Sequence, residues 1–118
     1  EVCDERDFNV LRNPTDPLGQ LAWVEELLRG AEKNNENIYI TGHIPPALVG
    51  CYPDWAGRYN ALIERFSGVV KGQFFAHTHT EDLHITRSFN NSAPTGYIMT
   101  TSSVTTNLER QPAFRLYQ

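Results

Sequence analysis

The chain has 118 residues, of which 40% are hydrophobic and 20% are charged. This balance excludes disordered, collagen-like and coiled-coil proteins and predicts one globular domain. The net charge of −4 argues against a nucleic-acid-binding protein, because such proteins need a basic face. No apolar run is long enough for a transmembrane helix, and the charged residues 1–6 do not fit a signal peptide.

The first third of the chain predicts a short strand and an amphipathic helix. Residues 7–12 fit the strand. Asp16 then fits the N-cap of a helix, and Pro17 fits its first position, where the missing N–H group is not needed. The predicted buried face has apolar residues at spacings of three and four: Leu18, Leu21, Val24, Leu27, Leu28 and Ala31.

A second strand and helix follow. Residues 38–40 predict a buried strand that ends in a loop with His43, because the two prolines after this histidine prevent a regular strand or helix from continuing. The next helix is predicted over residues 54–67, with Asp54 as its N-cap. Its buried face has aromatic and aliphatic residues: Trp55, Tyr59, Leu62, Ile63 and Phe66.

The last part of the chain predicts strands without helices between them. Residues 69–76 form a strand that ends at the histidine cluster 77–79, and residues 82–89 alternate between polar and apolar. Residues 97–101 and 113–117 are further strand candidates. This order predicts an α/β fold with a layered sheet, in which parallel strands come first and antiparallel or edge strands come last.

Three of the four histidines follow predicted strand ends, namely His43, His77 and His79. Ligands bind at the carboxyl ends of strands in open α/β sheets, and neutral imidazole is a common zinc ligand. A single histidine at such a place is more often a hydrogen-bonded surface residue, so the pattern supports both interpretations about equally. Three histidines bring no negative charge, and no Asp or Glu stands in a ligand motif. The pattern therefore predicts only part of a metal site.

Other candidate residues favour structural roles. His84 lies within an alternating strand, where an exposed or hydrogen-bonded histidine is expected. Trp55 and Tyr59 are expected in the core rather than at a substrate site. Ser102 and Ser103 lack the Gly-x-Ser-x-Gly sequence of a nucleophile elbow, which argues against serine catalysis.

The two cysteines, Cys3 and Cys51, do not form a Cys-x-x-Cys pair, which excludes a redox motif and a zinc ribbon. In a reducing compartment they would be separate thiols, and in an oxidising one they could form a disulfide. Asn90 begins the triplet Asn-Asn-Ser, which matches an N-glycosylation acceptor but also arises by chance. Together these features favour a secreted or lumenal protein.

Two motifs carry a resemblance to a known family. Residues 42–46 (GHIPP) and 73–79 (QFFAHTH) resemble the last two metal motifs of the calcineurin-like metallophosphoesterases. Further features narrow the resemblance to the acid sphingomyelinase-like phosphodiesterases: residues 15–23, Cys51, residues 58–66 and residues 114–118. The resemblance covers the chain from Cys3 onward.

The resemblance implies a secreted or lysosomal phosphodiesterase that converts sphingomyelin to ceramide and phosphocholine with two Zn²⁺ or other divalent metal ions. It implies that His43 and His77 bind one metal, that His79 binds the other, and that Cys3 and Cys51 form a disulfide. The implied partners are a phospholipid or small phosphodiester substrate and, through a lipid substrate, a membrane surface. No nucleic-acid partner is expected.

The resemblance also assigns residues 1–118 to the C-terminal part of a calcineurin-like metallophosphoesterase catalytic domain. The earlier family motifs, which carry the bridging carboxylate, further ligands and the general acid, are not found in this sequence. We therefore expect the upstream half of the domain to be required, assign no catalytic residue to this segment, and expect the segment alone to be inactive. Ala76 replaces a glycine that is usual in the family, which predicts a negative φ there.

Two alternatives remain open. One is a related phosphodiesterase that acts on nucleotides or other small phosphodiesters. The other is a non-catalytic module that binds lipid or a partner, against which the retained histidines argue.

Overall fold

A computed structural model describes residues 16–46, 51–90 and 92–118. In these residues the helices are α1 (Gln20–Asn34) and α2 (Pro53–Arg65), and the strands are β1 (Ile38–Thr41), β2 (Val70–Phe75), β3 (Asp82–Arg87) and β4 (Pro94–Thr100). The predicted α/β class is confirmed. The strand predicted over residues 7–12 lies outside the described residues. In the described part, no helix has both the length and the apolar character needed to cross a bilayer.

Helix α1 begins one turn later than the sequence predicts. Residues Pro17–Gly19 form a short 3₁₀ turn before it, so Asp16 is not adjacent to the first α-helical residue. Its carboxylate still caps the helix, because its oxygens accept hydrogen bonds from the backbone N–H groups of Leu21 (2.8 Å) and Ala22 (3.0 Å). These donors would otherwise lack intrahelical partners.

The buried face of α1 is narrower than predicted. The residues confirmed as buried are Leu21, Leu28 and Ala31, and Val24 packs against them. Leu18 is 95% exposed, since it lies in the preceding turn with a φ of 60°. Leu27 is also exposed.

The N-terminus of helix α2 differs from the prediction. The N-cap residue is Tyr52 and Pro53 occupies the first turn, which places Asp54 inside the helix rather than at its cap. Proline suits this position, and a carboxylate in the first turn is favourable near the positive end of the helix dipole. Trp55 and Tyr59 are buried and stacked, with ring centroids 5.7 Å apart, which confirms their predicted place in the core.

The sheet has the strand order β1-β2-β4-β3. Strands β1, β2 and β4 are parallel, and β3 is antiparallel to β4. The first two described strands are parallel and β3 is an antiparallel edge strand, as predicted, but β4, the last strand, is parallel to β2 and lies inside the sheet, which corrects the prediction of an antiparallel or edge strand there. The strand predicted over residues 113–117 is wrong, because these residues have no regular secondary structure. Although the Ala113 N–H donates to the Ser103 carbonyl (2.9 Å), these residues join no sheet ladder.

Both helices pack on one side of the sheet, here called the covered face. Five strand residues on this face are buried: Gln73, Phe75, Thr86, Ile98 and Thr100. The polar members have partners. Tyr59 Oη donates to Gln73 Oε1 (2.7 Å), and Gln73 Nε2 donates to the Tyr97 carbonyl (3.1 Å).

The opposite side of the sheet, here called the open face, carries large apolar side chains: Tyr39, Phe74, Leu83, Ile85, Tyr97 and Met99. The register places Phe74 beside Met99, Met99 beside Leu83, and Tyr97 beside Ile85. Tyr39 is 66% exposed and Leu83 is 57% exposed. The C-terminal Tyr117 lies over part of this face, with its ring 4.7 Å from that of Phe74.

Candidate functional site

Two parallel strands end side by side and carry histidines just beyond their ends. His43 follows β1, and His77 follows β2. The backbone pairing continues past the strands, since the Gly42 N–H donates to the Phe74 carbonyl (3.0 Å) and the Ala76 N–H donates to the His43 carbonyl (2.9 Å). These bonds bring the two histidine-bearing loops together at the carboxyl edge of the sheet.

Glycine at position 42 allows close packing beneath this edge. A Cβ atom there would lie 2.5 Å from Cε1 of Phe75, which is closer than atoms approach without a shift. Phe75 is buried in the core. The glycine of the GHIPP motif therefore lets an aromatic ring pack directly against the backbone that leads into His43.

His43 and His77 contact each other. Nε2 of His43 is 3.2 Å from Nδ1 of His77, and the rings meet edge to face with centroids 5.1 Å apart. Both side chains are exposed. One ring nitrogen can donate a proton to the other, or both lone pairs can be directed at a shared cation. The two histidines that the resemblance assigns to one metal are thus adjacent.

His79 is more buried than these two histidines. Both His77 and His79 have left-handed backbone conformations, with φ values of 67° and 56°. Ala76 is not among the described residues with positive φ, as the alanine at that position predicts. The His79 side chain is half-buried, and its Nδ1 atom is buried without a hydrogen-bond partner.

Within residues 16–46, 51–90 and 92–118, no three His, Cys, Asp or Glu side chains are arranged to hold one ion. Two of the three predicted ligands are in contact, and His79 does not complete a group of three with them. The metal assignments of His43, His77 and His79 therefore stay predictions.

The loop after β2 is held by residues far along the chain. The contacts are Arg110 Nη1 to the Thr78 carbonyl (2.9 Å), Thr100 Oγ1 to the Thr80 carbonyl (3.2 Å), and Arg115 Nη2 to Glu81 Oε2 (2.7 Å). No motif in the sequence points to Arg110, because its partner lies in a loop 32 residues earlier. Arg115 lies in residues 114–118, one of the segments that carry the family resemblance. The resemblance does not predict which residue Arg115 contacts.

Tyr59 is a buried ionisable group whose ring meets that of Phe75 edge to face, with centroids 6.5 Å apart. Burial raises the pKa of its hydroxyl above the ordinary tyrosine value. The hydroxyl therefore stays protonated and donates to Gln73, which makes it a structural donor rather than a base.

The remaining candidates have the structural roles that the sequence predicts. His84 is exposed on β3. In the described part of the chain, no hydrogen bond joins Ser102 or Ser103 to a histidine, and Ser103 Oγ instead accepts from the Thr105 N–H (3.2 Å). This arrangement gives no support to a serine nucleophile.

Two predicted modifications are only partly within the described residues. Cys51 is buried, whereas Cys3 lies outside them, so their pairing stays a prediction. Asn90 is exposed in the turn between β3 and β4, and its Oδ1 atom accepts from the Ser92 N–H (3.1 Å). Its glycosylation also stays a prediction.

No protein-family model matches the chain. The chain is 35% identical over 117 residues to a sphingomyelin phosphodiesterase of Bos taurus, a match that covers 98% of this chain and 18% of that protein. The sphingomyelin phosphodiesterase of Homo sapiens is 33% identical, with the same shares covered. The human cyclic GMP-AMP phosphodiesterase SMPDL3A is 31% identical over 90% of this chain and 26% of its own length.

The chain therefore spans about a fifth of the length of the sphingomyelin phosphodiesterases that it matches. The similarity extends well beyond the two histidine motifs, since it covers nearly all of this chain. These matches confirm the resemblance: the chain is homologous to a segment of the acid sphingomyelinase-like phosphodiesterases.

Proposed function

We propose that the protein that carries this chain is a metal-dependent phosphodiesterase that resembles acid sphingomyelinase and hydrolyses sphingomyelin to ceramide and phosphocholine. The main support is the contact between His43 and His77 at the carboxyl edge of the sheet. The names of the relatives support the phosphodiester substrate and its phospholipid class. A membrane surface is then the place where a lipid substrate is met.

The histidines fit a zinc site in two respects. His43 Nε2 and His77 Nδ1 are 3.2 Å apart, and two nitrogens bound to one tetrahedral zinc at about 2.0–2.1 Å would be about 3.3–3.4 Å apart. His79 Nδ1 has no hydrogen-bond partner, which suits a ligand atom. We assign His43 and His77 to one metal and His79 to a second, with two Zn²⁺ or other divalent ions per complete site.

When bound, the metals would supply Lewis acids for the phosphodiester oxygens and a nucleophile at neutral pH. The role of this segment is to hold its three ligands at one edge of a rigid sheet. The hydrogen bond from the Ala76 N–H to the His43 carbonyl fixes the spacing of the two loops. Because histidines do not balance the charge of two divalent ions, we propose that carboxylate ligands and the general acid come from the upstream half of the domain.

We also propose a secreted or lysosomal location, with a Cys3–Cys51 disulfide and a glycan on Asn90. The exposed turn that contains Asn90 and the burial of Cys51 support these assignments. Mass spectrometry of the protein secreted from eukaryotic cells would test both modifications. A free thiol at Cys51 and an unmodified Asn90 would contradict them.

The test of the catalytic proposal is turnover of sphingomyelin in mixed vesicles by the full-length protein. We expect His77→Ala to reduce turnover by on the order of 100-fold or more, since removal of a metal ligand costs more than the loss of its supporting contacts. His84→Ala is the matched control, because His84 is exposed on β3. Near-wild-type turnover of a folded His77→Ala variant would refute the ligand assignment.

A second candidate is hydrolysis of nucleotide phosphodiesters. It is favoured by the 31% identity to a human protein named cyclic GMP-AMP phosphodiesterase. Parallel turnover of sphingomyelin and of cyclic GMP-AMP by the full-length protein separates the two substrate classes. Turnover of the nucleotide alone would replace the lipid assignment.

The segment by itself is expected to be inactive. Hydrolysis of bis-(p-nitrophenyl) phosphate by the isolated 118 residues would contradict the proposal that ligands are required from upstream. If the full-length protein bound no zinc in stoichiometric amounts, a non-catalytic module that binds lipid or a partner would be the better interpretation.

A further inference from the structure

The loop that carries His77 and His79 is strained at both histidines. Their φ values of 67° and 56° lie in the left-handed region, which residues with a Cβ rarely adopt. Such conformations persist only where surrounding contacts determine them. The loop must therefore be held by contacts outside itself.

One of these contacts is made to the peptide unit that links Thr78 to His79. Arg110 Nη1 donates to the carbonyl oxygen of Thr78 at 2.9 Å, and Arg110 is half-buried. A charged donor makes this hydrogen bond stronger than one between neutral groups. The Thr78 carbonyl belongs to the planar peptide that ends at the nitrogen of His79. Arg110 thus fixes the plane from which the φ rotation of His79 starts.

The ring of His79 is not anchored by a hydrogen bond at Nδ1, because this buried atom has no hydrogen-bond partner. The backbone that carries the ring therefore contributes to its orientation. A contact that holds the backbone acts directly on the direction of the ring nitrogens.

We infer that Arg110 is a positioning residue, which orients His79 for its ligand by holding the Thr78–His79 peptide. The inference rests on the proposed function, because it takes His79 as a metal ligand. Arg110 is assigned no contact with metal or substrate. Its role is to keep the third histidine in one orientation relative to the His43–His77 pair.

The test compares Arg110→Ala with Arg87→Ala in the full-length protein. Arg87 is a matched control, since it is an exposed arginine at the far end of β3. Two quantities are measured: zinc affinity by competition with a chelator, and the ¹⁵N-histidine NMR signals of His79 in metal-free protein. We expect Arg110→Ala to weaken zinc binding by roughly 10-fold or more and to broaden or split the His79 signals. Arg87→Ala should change neither.

The two measurements separate the failure of this inference from that of the proposed function. Unchanged zinc affinity in Arg110→Ala would overturn the positioning role, whatever the NMR signals show. Weaker zinc binding with unchanged His79 signals would also overturn it, since Arg110 would then act on the bound ion or its anion. If the wild-type protein binds no zinc, the proposed function fails and this inference fails with it.

Discussion

The two faces of the sheet differ in cover, and the face covered by the helices is not the more apolar one, since Gln73, Thr86 and Thr100 lie on it. On the covered face, Ile98 is 1% exposed beneath the helices. On the open face, Ile85 lies on the neighbouring strand and is 44% exposed. Strands with apolar residues on both faces are typical of sheets that are buried on both sides. The burial of a residue in this sheet therefore depends on whether the helices pack against its face, and not on how apolar that face is.

The largest expected difference is between the two isoleucines. Ile98→Ala should lower the free energy of unfolding of the protein by about 2–5 kcal/mol, because the substitution leaves a cavity beneath the helices. Ile85→Ala should cost less than about 1 kcal/mol, since the side chain is already half in water. Urea denaturation measures both. Equal losses would show that something covers the open face in solution.

A smaller difference is expected between two tyrosines. Tyr59→Phe removes the donor to Gln73 Oε1, which is buried, and should cost about 1–3 kcal/mol. Tyr39→Phe on the open face should change stability by no more than about 0.5 kcal/mol. Similar values for the two variants would mean that the buried hydrogen bond adds nothing to the covered face.

The same tyrosine gives a pH dependence. Because burial raises the pKa of Tyr59, the folded state disfavours its ionisation. This contribution is present below the ordinary tyrosine pKa of about 10 and is lost as the pH rises through the higher folded-state value. As the pH rises above about 10, the free energy of unfolding of the Tyr59→Phe variant should therefore fall less than that of the wild-type protein.

The smallest effect concerns the ion pair that joins the two helices of the covering layer. Arg65 donates to both carboxylate oxygens of Glu32, at 2.8 and 3.0 Å, and this contact lowers the pKa of Glu32. The stability that it contributes is present above the ordinary glutamate pKa of about 4.3 and is lost as the pH falls through the lower folded-state value. Thermal melts of Glu32→Gln should show a slightly weaker dependence on pH in the acidic range.

Glu26→Gln is the control for that substitution, because Glu26 is an exposed carboxylate on the same helix. The change should be small, since both partners of the pair are about half exposed and surface ion pairs are screened by water and salt. Identical melts of the wild-type and Glu32→Gln proteins at every pH would show that the pair does not join the helices in solution.

Sequence patterns predicted those features of the helices and strands that depend on residues close together in the chain. The spacing of Leu21, Leu28 and Ala31 identifies the buried side of α1, and the prolines after His43 end β1. Residues 113–117 are rich in apolar and aromatic side chains but pair with no strand of the described sheet, and pairing is a property of the whole sheet. The same limit applies to the site. Strand order brings His43 to His77, whereas the contact of Arg110 with Thr78 could be found only from the fold.

The left-handed backbone conformations of His77 and His79 determine which substitutions these two positions accept without strain. At these two positions glycine would adopt the same backbone without steric cost, whereas a residue with a Cβ costs roughly 1–2 kcal/mol. Stability and activity therefore favour different residues at the loop after β2. Replacing either histidine with glycine should therefore relieve backbone strain in this loop, and it would also remove an imidazole that the proposed function requires.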